Sequence, residues 1–495
     1  MSRASLSDRA SSGLLWTFFG TGGQSILNLL IVVVLARLLN PSDFGVVSAA
    51  LVVIGFAQIF TLLGIGPAIV QMPDLSAHHV RVGFTTSVAL GCAIGLAVFH
   101  AGPLIASFFR MPQLDDVVKV LAFTFPVAGA ATVSQALLQR SLSFRGLAVI
   151  SFTSFVLGYG LVSIVLALLG WGVWALVFGH LGQTLVHAAL VIALRSDAAG
   201  IAFTKAAAMR LLVFGTGHSL ARLANYTATQ ADNIVVGRGL GAEALGVYGR
   251  AYQFLMLPTN LIGAVLDRVL FPTMASIQDD IGRLSRAYLR AVGGVTLITM
   301  PTSAVVWVIA PELVQFVLGP QWADVTDPLR VLIVFLVFRT TYKVSDSLAR
   351  ATGAVYRQAW RQWVYAVAVV LGAWTGLTLG GATGVAFGVG LAITLNFVLM
   401  LHLSSTLTLV RWQQVGELLL RHLAVSAVVV VAAGASKWWL AHLGAAPIVI
   451  LAAVSAMSLV AWFVLWNLVP SWFGPERSDV RALVLRLARR LPKPK

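Results

Sequence analysis

Long apolar stretches, separated by short polar or Gly/Pro-rich breaks, run along nearly the whole chain. A helix needs about 20 apolar residues to cross a bilayer, and these stretches reach that length without the alternation typical of barrel strands. The pattern therefore predicts an all-α polytopic membrane protein with about 14 transmembrane helices. The predicted spans lie near residues 13–36, 44–70, 82–109, 117–138, 147–169, 171–194, 209–236, 244–271, 288–310, 329–350, 360–380, 382–402, 420–440 and 446–469.

The composition excludes a soluble domain, because 58% of the residues are hydrophobic, 11% are charged and the mean hydropathy is +0.89. The first apolar stretch, Gly13 to Ala36, is too long for the core of a signal peptide and is expected to remain as a span. The single cysteine, Cys92, excludes a disulfide or a cysteine zinc site within one chain.

The distribution of Lys and Arg predicts the orientation in the membrane. With a cytoplasmic N-terminus, 24 of the 34 cations lie in inner segments, 7 in outer segments, and Arg222, Arg339 and Lys343 within spans. Short cytoplasmic loops carry an excess of Lys and Arg, so both termini are predicted to be cytoplasmic. The net charge of +16 is spread over many inner loops, which argues against nucleic-acid binding.

A basic tail follows the last predicted span, at residues 476–495. Five of its arginines lie opposite apolar residues that repeat at helical spacing: Val480, Leu483, Val484, Leu487 and Leu491. This pattern predicts an amphipathic helix on the anionic inner leaflet, and a solvated tail is the alternative.

Two segments 201 residues apart are similar to each other: Ala36 to Val47 (ARLLNPSDFGVV) and Gly237 to Tyr248 (GRGLGAEALGVY). The shift spans six predicted helices, an even number, so the two halves are expected to run parallel, with a substrate site between them. The expected organisation is an N-terminal six-helix bundle at 1–205, a C-terminal six-helix bundle at 206–405, two further helices at 406–475, and the cytoplasmic tail at 476–495.

The same shift relates polar stripes on the first and seventh spans. Spacings of three and four residues put each set on one helical face. The stripes are Thr17, Thr21, Gln24 and Asn28 on the first span, and His218, Arg222, Asn225 and Thr229 on the seventh. Polar side chains in a membrane face a protein interior or a water-filled cavity, so both stripes are candidate substrate contacts, and interhelical hydrogen bonding is the alternative.

The tenth span carries a third polar face, formed by Arg339, Lys343, Asp346 and Arg350. Asp346 can pair with Lys343 or Arg350, which leaves Arg339 without an obvious local partner. Arg339 and Lys343 are therefore candidate contacts for an anion, and a salt bridge from Arg339 to Asp232 or to another helix is the structural alternative.

Other potential sites are weaker. His78 and His79 have no nearby ligand set, and the Gly-rich segments follow no strand, so no metal or cofactor is expected. Gly380, Gly384 and Gly388 instead predict close helix packing. Before Asp232, every acidic residue falls in a loop or at a span end, which disfavours an antiporter of cationic drugs and favours an anionic substrate.

The stretch LARLLNPSDFGVVSAALVVIGFAQIFTLLGIGPAIVQ (Leu35 to Gln71) resembles the start of the polysaccharide transporter family. This family comprises the Wzx-type flippases of the multidrug/oligosaccharidyl-lipid/polysaccharide (MOP) exporter superfamily. ADNIVVGRGLGAEALGVYGRAYQFLMLP (Ala231 to Pro258), then RVLFPTMASIQDD and APELVQFVLGPQW, resemble the family's seventh to tenth helices in the same order.

The resemblance implies two six-helix bundles around a central cavity, extended by two C-terminal helices and working by alternating access. It implies a transporter, not an enzyme, whose substrate is an undecaprenyl-pyrophosphate-linked oligosaccharide. It also implies a bacterial inner (plasma) membrane as the location, and a polymerase and a chain-length regulator as partners. Three alternatives stay open: a peptidoglycan-precursor flippase, a multidrug antiporter of the same superfamily, and a membrane polysaccharide polymerase or ligase.

Overall fold

In the computed structural model, residues 27–473 are described, apart from 29, 63 and 197–199. The side chains at 62, 212–225, 227, 228 and 471 are also outside the description. The described part of the chain is helical throughout, with no β-strand. The predicted all-α membrane fold is confirmed, whereas most of the first predicted span and the basic tail lie outside the described residues.

The chain divides into two compact units, with the boundary between Val247 and Tyr248. The predicted bundle boundaries at 205/206 and 405/406 stay a prediction. Residues 30–38 of the first unit are helical, and a π-helical segment at Ser154–Leu161 interrupts the fifth predicted span. Its other helices are Pro41–Leu62, Ile65–Gln71, Ala77–Phe109, Leu114–Leu121, Thr124–Arg140, Phe144–Thr153, Val162–Leu168, Val173–Leu194 and the N-terminal part of Lys205–Val265.

The second unit contains the rest of Lys205–Val265, followed by a π-helical segment at Leu266–Leu270. Short 3-10 segments lie at Pro320–Val325 and Pro470–Trp472. The remaining helices are Phe271–Ser276, Ile281–Val317, Thr326–Val334, Leu336–Ala351, Val355–Leu407, Trp412–His442 and Pro447–Leu468.

Ten helices among the described residues are long and apolar enough to cross a membrane, so the number of 14 is not confirmed. Two of the ten each join a pair of predicted spans, because the helix is continuous apart from a break at Gly241 or at Gly380–Gly381. Helix Leu336–Ala351 is not among the ten, since it has only 16 residues and carries the charges of the tenth predicted span.

The break at Gly241 lies 201 residues after Asn40, the residue that precedes helix Pro41–Leu62. The helical segments that follow these two breaks contact each other reciprocally. A Cβ atom on Gly45 would lie 1.7 Å from the carbonyl oxygen of Ala242, and one on Gly246 would lie 1.9 Å from that of Pro41. The shift of 201 residues relates Pro41 to Ala242 and Gly45 to Gly246, so the two contacts are equivalent in the repeat.

Helix Val355–Leu407 is a hairpin of two helices, because the backbone reverses at Gly380 and at Gly381, whose φ is 57°. Its two arms touch through glycines: a Cβ on Gly376 would lie 2.2 Å from the carbonyl oxygen of Gly384, and one on Gly388 would lie 1.9 Å from that of Gly372. Close packing at Gly384 and Gly388 is confirmed, whereas a Cβ on Gly380 would meet nothing within 4 Å.

The two C-terminal helices, Trp412–His442 and Pro447–Leu468, pack against helix Ile281–Val317. Lys437 fastens this junction, because its ammonium donates to the carboxylate of Glu312 at 2.9 Å and to the carbonyl of Val308 at 2.8 Å. Both charged side chains are mostly buried, so each would be costly without the other.

Candidate substrate-binding site

The polar stripe of the first span is described only at its C-terminal end. Thr17, Thr21 and Gln24 lie outside the described residues, whereas Asn28 is helical and half-buried. Asn28 lies in the segment that leads to the helix break before Pro41. The grouping of the four side chains therefore stays a prediction.

The stripe of the seventh span lies on helix Lys205–Val265, which carries the backbone of His218, Arg222 and Asn225, although their side chains are outside the description. Thr229 is half-buried, and its hydroxyl donates to the carbonyl of Tyr226 at 3.0 Å.

Tyr226 attaches this helix to helix Pro41–Leu62. Its hydroxyl lies 2.9 Å from the carbonyl oxygen of Val52 and 3.2 Å from that of Leu51. The hydroxyl occupies the space beside Gly55, where a Cβ would lie only 2.3 Å from it. This contact therefore fixes the seventh predicted span against the second predicted span, at a point one helical turn beyond Arg222.

Arg339, on helix Leu336–Ala351, is enclosed by tyrosines. Its side chain is buried, and its guanidinium donates to the hydroxyl of Tyr365 at 2.7 Å and to that of Tyr252 at 3.5 Å. The guanidinium carbon also lies 5.6 Å from the ring centre of Tyr342 and 5.8 Å from that of Tyr365. These contacts fix the three tyrosines around a buried positive charge.

Lys343 lies one turn further along the same helix and is half-buried. Its ammonium is 5.7 Å from the ring centre of Tyr342, the ring that Arg339 also faces. The alkyl chain runs along Gly263, where a Cβ would lie 3.1 Å from Cδ and 3.4 Å from Nζ of Lys343. In the described part of the chain, the Lys343 ammonium has no hydrogen bond and no ion pair.

Asp346 pairs with Arg350 and not with Lys343, which decides between the two partners predicted for it. One carboxylate oxygen lies 3.1 Å from the guanidinium of Arg350, and the other accepts a hydrogen bond from Gln358. Arg350 also pairs with Asp267. The negative charge closest to Lys343 along its own helix is thus bound to another cation.

The structure brings Arg339 and Lys343 together at one ring, Tyr342, and adds residues that the sequence did not single out. Tyr252, Tyr342 and Tyr365 supply hydroxyls and ring faces, and Gly263 supplies the space for the lysine chain. Tyrosine combines an apolar ring with a polar hydroxyl that needs a partner when buried, and this property was the available signal.

The model of a family described as polysaccharide biosynthesis protein matches residues 34–327 of the chain. The chain belongs to this family. The matched range includes His218, Arg222, Asn225 and Thr229, and it ends before Arg339 and Lys343.

Relatives of this polysaccharide biosynthesis family cover much of the chain. The lipopolysaccharide biosynthesis protein WzxC of Escherichia coli (strain K12) is 27% identical over 80% of this chain and 80% of its own. The succinoglycan biosynthesis transport protein ExoT of Rhizobium meliloti (strain 1021) is 28% identical over 62% of each chain.

The fold of this family member is similar to that of the lipid II flippase MurJ in an inward closed conformation. The TM-score is 0.75, and the likeness covers 92% of this chain and 98% of MurJ at 13% sequence identity. At that identity the likeness shows the fold alone, which is the MOP fold that the sequence resemblance implied. A multi-pass membrane protein with this fold is therefore established.

Proposed function

We propose that the protein is a flippase that carries undecaprenyl-pyrophosphate-linked oligosaccharide repeat units across the bacterial inner membrane by alternating access. The product would feed exopolysaccharide, capsule or O-antigen synthesis. The observation that carries this proposal is the family match over residues 34–327. Two relatives are consistent with it, because WzxC is a lipopolysaccharide biosynthesis protein and ExoT is a succinoglycan biosynthesis transport protein.

The charges within the spans support an anionic substrate. A pyrophosphate needs cations, and a guanidinium or ammonium held in a low dielectric attracts it strongly. In the proposal, Arg222 and Lys343 contact the pyrophosphate, and Arg339 supplies positive potential from behind the tyrosines that it holds. The sugar chain needs hydroxyl and amide partners, for which we propose Thr17, Thr21, Gln24, Asn28, His218, Asn225 and Thr229.

The proposed arrangement in the membrane has both termini in the cytoplasm, two six-helix bundles at 1–205 and 206–405, and two further helices at 406–475. The lipid tail of the substrate stays in the bilayer while the head group crosses. The proposed partners are membrane lipids, the polymerase that would consume the flipped repeat unit, and a chain-length regulator. The proposal includes no chemical change to the substrate.

Proteoliposomes test this function directly. Purified protein is reconstituted with undecaprenyl-pyrophosphate-linked repeat units in both leaflets, and an impermeant glycosidase is added outside. Without flipping, the enzyme digests only the outer-leaflet pool, whereas a flippase makes the inner pool accessible as well. Digestion limited to the outer pool, as in protein-free liposomes, would overturn the proposal. A second set with lipid II asks whether peptidoglycan precursor is carried instead.

A further inference from the structure

Lys343 is half-buried, and in the part of the chain that the structure describes its ammonium has no hydrogen bond and no salt bridge. Lys343 lies eight residues before the end of its helix at Ala351, which is about 12 Å from that end along the helix axis. Its chain lies in the space that Gly263 leaves open, and its ammonium stays beside the Tyr342 ring. An ammonium in this position is desolvated in part, so an anion that reaches it gains a strong interaction.

Asp346 should compete for this ammonium, because residues three apart on a helix are neighbours. Arg350, Gln358 and Asp346 instead form a cluster of their own, in which Arg350 takes the carboxylate at 3.1 Å. Arg350 also contacts Asp267, so it is held from two sides. The cluster neutralises the one carboxylate that lies within a turn of Lys343 on its own helix.

We propose that Arg350 is a positioning residue, which holds Asp346 so that the Lys343 ammonium stays available to a phosphate group of the lipid carrier. This inference rests on the proposed function, and it names the residues that select for an anionic head group. Arg350 acts only through Asp346, and Lys343 makes the contact. Gly263 and Tyr342 determine where the ammonium lies.

Binding of undecaprenyl pyrophosphate to the full-length protein in nanodiscs, measured by native mass spectrometry, tests the inference. Undecaprenol, which has the chain but no phosphate, measures binding of the hydrocarbon alone. Lys343→Met should weaken binding of undecaprenyl pyrophosphate by about tenfold or more, since it removes a charge-assisted contact. Binding of undecaprenol should be unchanged. Lys205→Met is the control, because Lys205 is exposed and no side-chain hydrogen bond or ion pair holds it among the described residues.

The role of Arg350 is tested by rescue. Arg350→Ala frees Asp346 to pair with Lys343, which should weaken binding of undecaprenyl pyrophosphate roughly fivefold. Adding Asp346→Asn removes the competitor, so Arg350→Ala/Asp346→Asn should bind like the wild type. A merely structural role for Arg350 predicts that binding of undecaprenol falls along with that of undecaprenyl pyrophosphate, whereas the positioning role leaves undecaprenol binding unchanged. Arg350→Gln, which keeps hydrogen-bond donors but lacks the charge, should also weaken binding and provides a milder variant for folding.

The outcomes separate the two levels of the proposal. If the wild type does not bind undecaprenyl pyrophosphate in preference to undecaprenol, the proposed function fails, and the inference fails with it. If the wild type binds but Lys343→Met binds equally well, or the double variant does not recover, only the inference is overturned. Equal dependence of phosphatidylglycerol binding on Lys343 would assign the ammonium to bulk lipid head groups and would also overturn it.

Discussion

Gly45 faces the carbonyl oxygen of Ala242 so closely that a Cβ atom would lie 1.7 Å from it. The equivalent glycine of the repeat, Gly246, faces Pro41 in the same way, at 1.9 Å. Each helix therefore presents its glycine to the first residue of the other, and only a residue without a side chain fits at either place. The reciprocity shows that the 201-residue shift relates contacts as well as sequence at this point.

Gly45→Ala and Gly246→Ala should each destabilise the protein, because the added methyl group must push the two helices apart. Overpacking of this kind costs about 1–3 kcal/mol, and a value at the upper end is expected because backbone atoms are in the way. The measurement is thermal unfolding of the detergent-purified protein. Gly249→Ala is the control, since a Cβ there meets nothing within 4 Å and alanine favours a helix. Equal melting temperatures for Gly45→Ala and Gly249→Ala would contradict the contact.

Arg140 has a structural role that the count of charges along the sequence does not indicate. The sequence places it among the inner cations, whereas in the structure its guanidinium donates to the carbonyls of Ile69 at 2.8 Å and Met72 at 2.6 Å. It thereby satisfies the free carbonyls at the C-terminal end of helix Ile65–Gln71.

Arg140→Ala should therefore destabilise the folded protein by about 1.5–3 kcal/mol, the range for hydrogen bonds to charged groups. Arg140→Lys should recover only part, since an ammonium cannot reproduce the spread of guanidinium donors. Thermal unfolding in detergent measures both. Arg283 is a suitable control position, because it is exposed and no side-chain bond holds it among the described residues. If the melting temperature of Arg140→Ala is no lower than that of Arg283→Ala, this role of Arg140 is refuted.

The predicted orientation rests on the 24 to 7 bias of cations, and cysteine labelling tests it. In a background without Cys92, cysteines at Ser2 and Ser478 should be shielded from an impermeant thiol reagent in intact cells. A cysteine at Ala323 should react, because Ala323 is exposed in the segment Pro320–Val325, which is predicted to lie outside. If the cysteine at Ser478 is labelled in intact cells, the predicted topology is wrong.

Arg222 is expected to contact the pyrophosphate from the seventh span. Arg222 lies about 12 residues beyond the inner end of its predicted span, which places it near mid-bilayer at 1.5 Å per residue. An uncompensated charge there is costly, unless the cavity is wet or the ligand supplies the countercharge. Arg222→Ala should insert normally but abolish polysaccharide export, and Arg222→Lys should retain part, because the ammonium lacks the planar fork of a guanidinium.

Complementation at matched protein levels in the membrane measures the effect of both Arg222 variants. Full export by the alanine variant would refute the contact. Loss of folded protein would instead indicate that Arg222 belongs to a structural ion pair.

Hydropathy was sufficient to predict the all-helical fold, because lipid requires long apolar helices and the sequence consists of them. The choice of Arg350 as the partner of Asp346 was not predictable, since helical spacing allows Lys343 equally well. The tyrosines around Arg339 were missed for a related reason: Tyr252 and Tyr365 come from helices far apart in sequence. Spacing along one helix carries no information about contacts of that kind.

The glycine hairpin of residues 355–407 constrains how this part of the chain can be oriented in the membrane. Its arms meet at Gly376 and Gly384, only a few residues from the reversal at Gly380–Gly381. Because this connection is so short, the second arm must run back toward the side of the membrane from which the first arm came. The orientation of the first arm in the membrane therefore fixes that of the second.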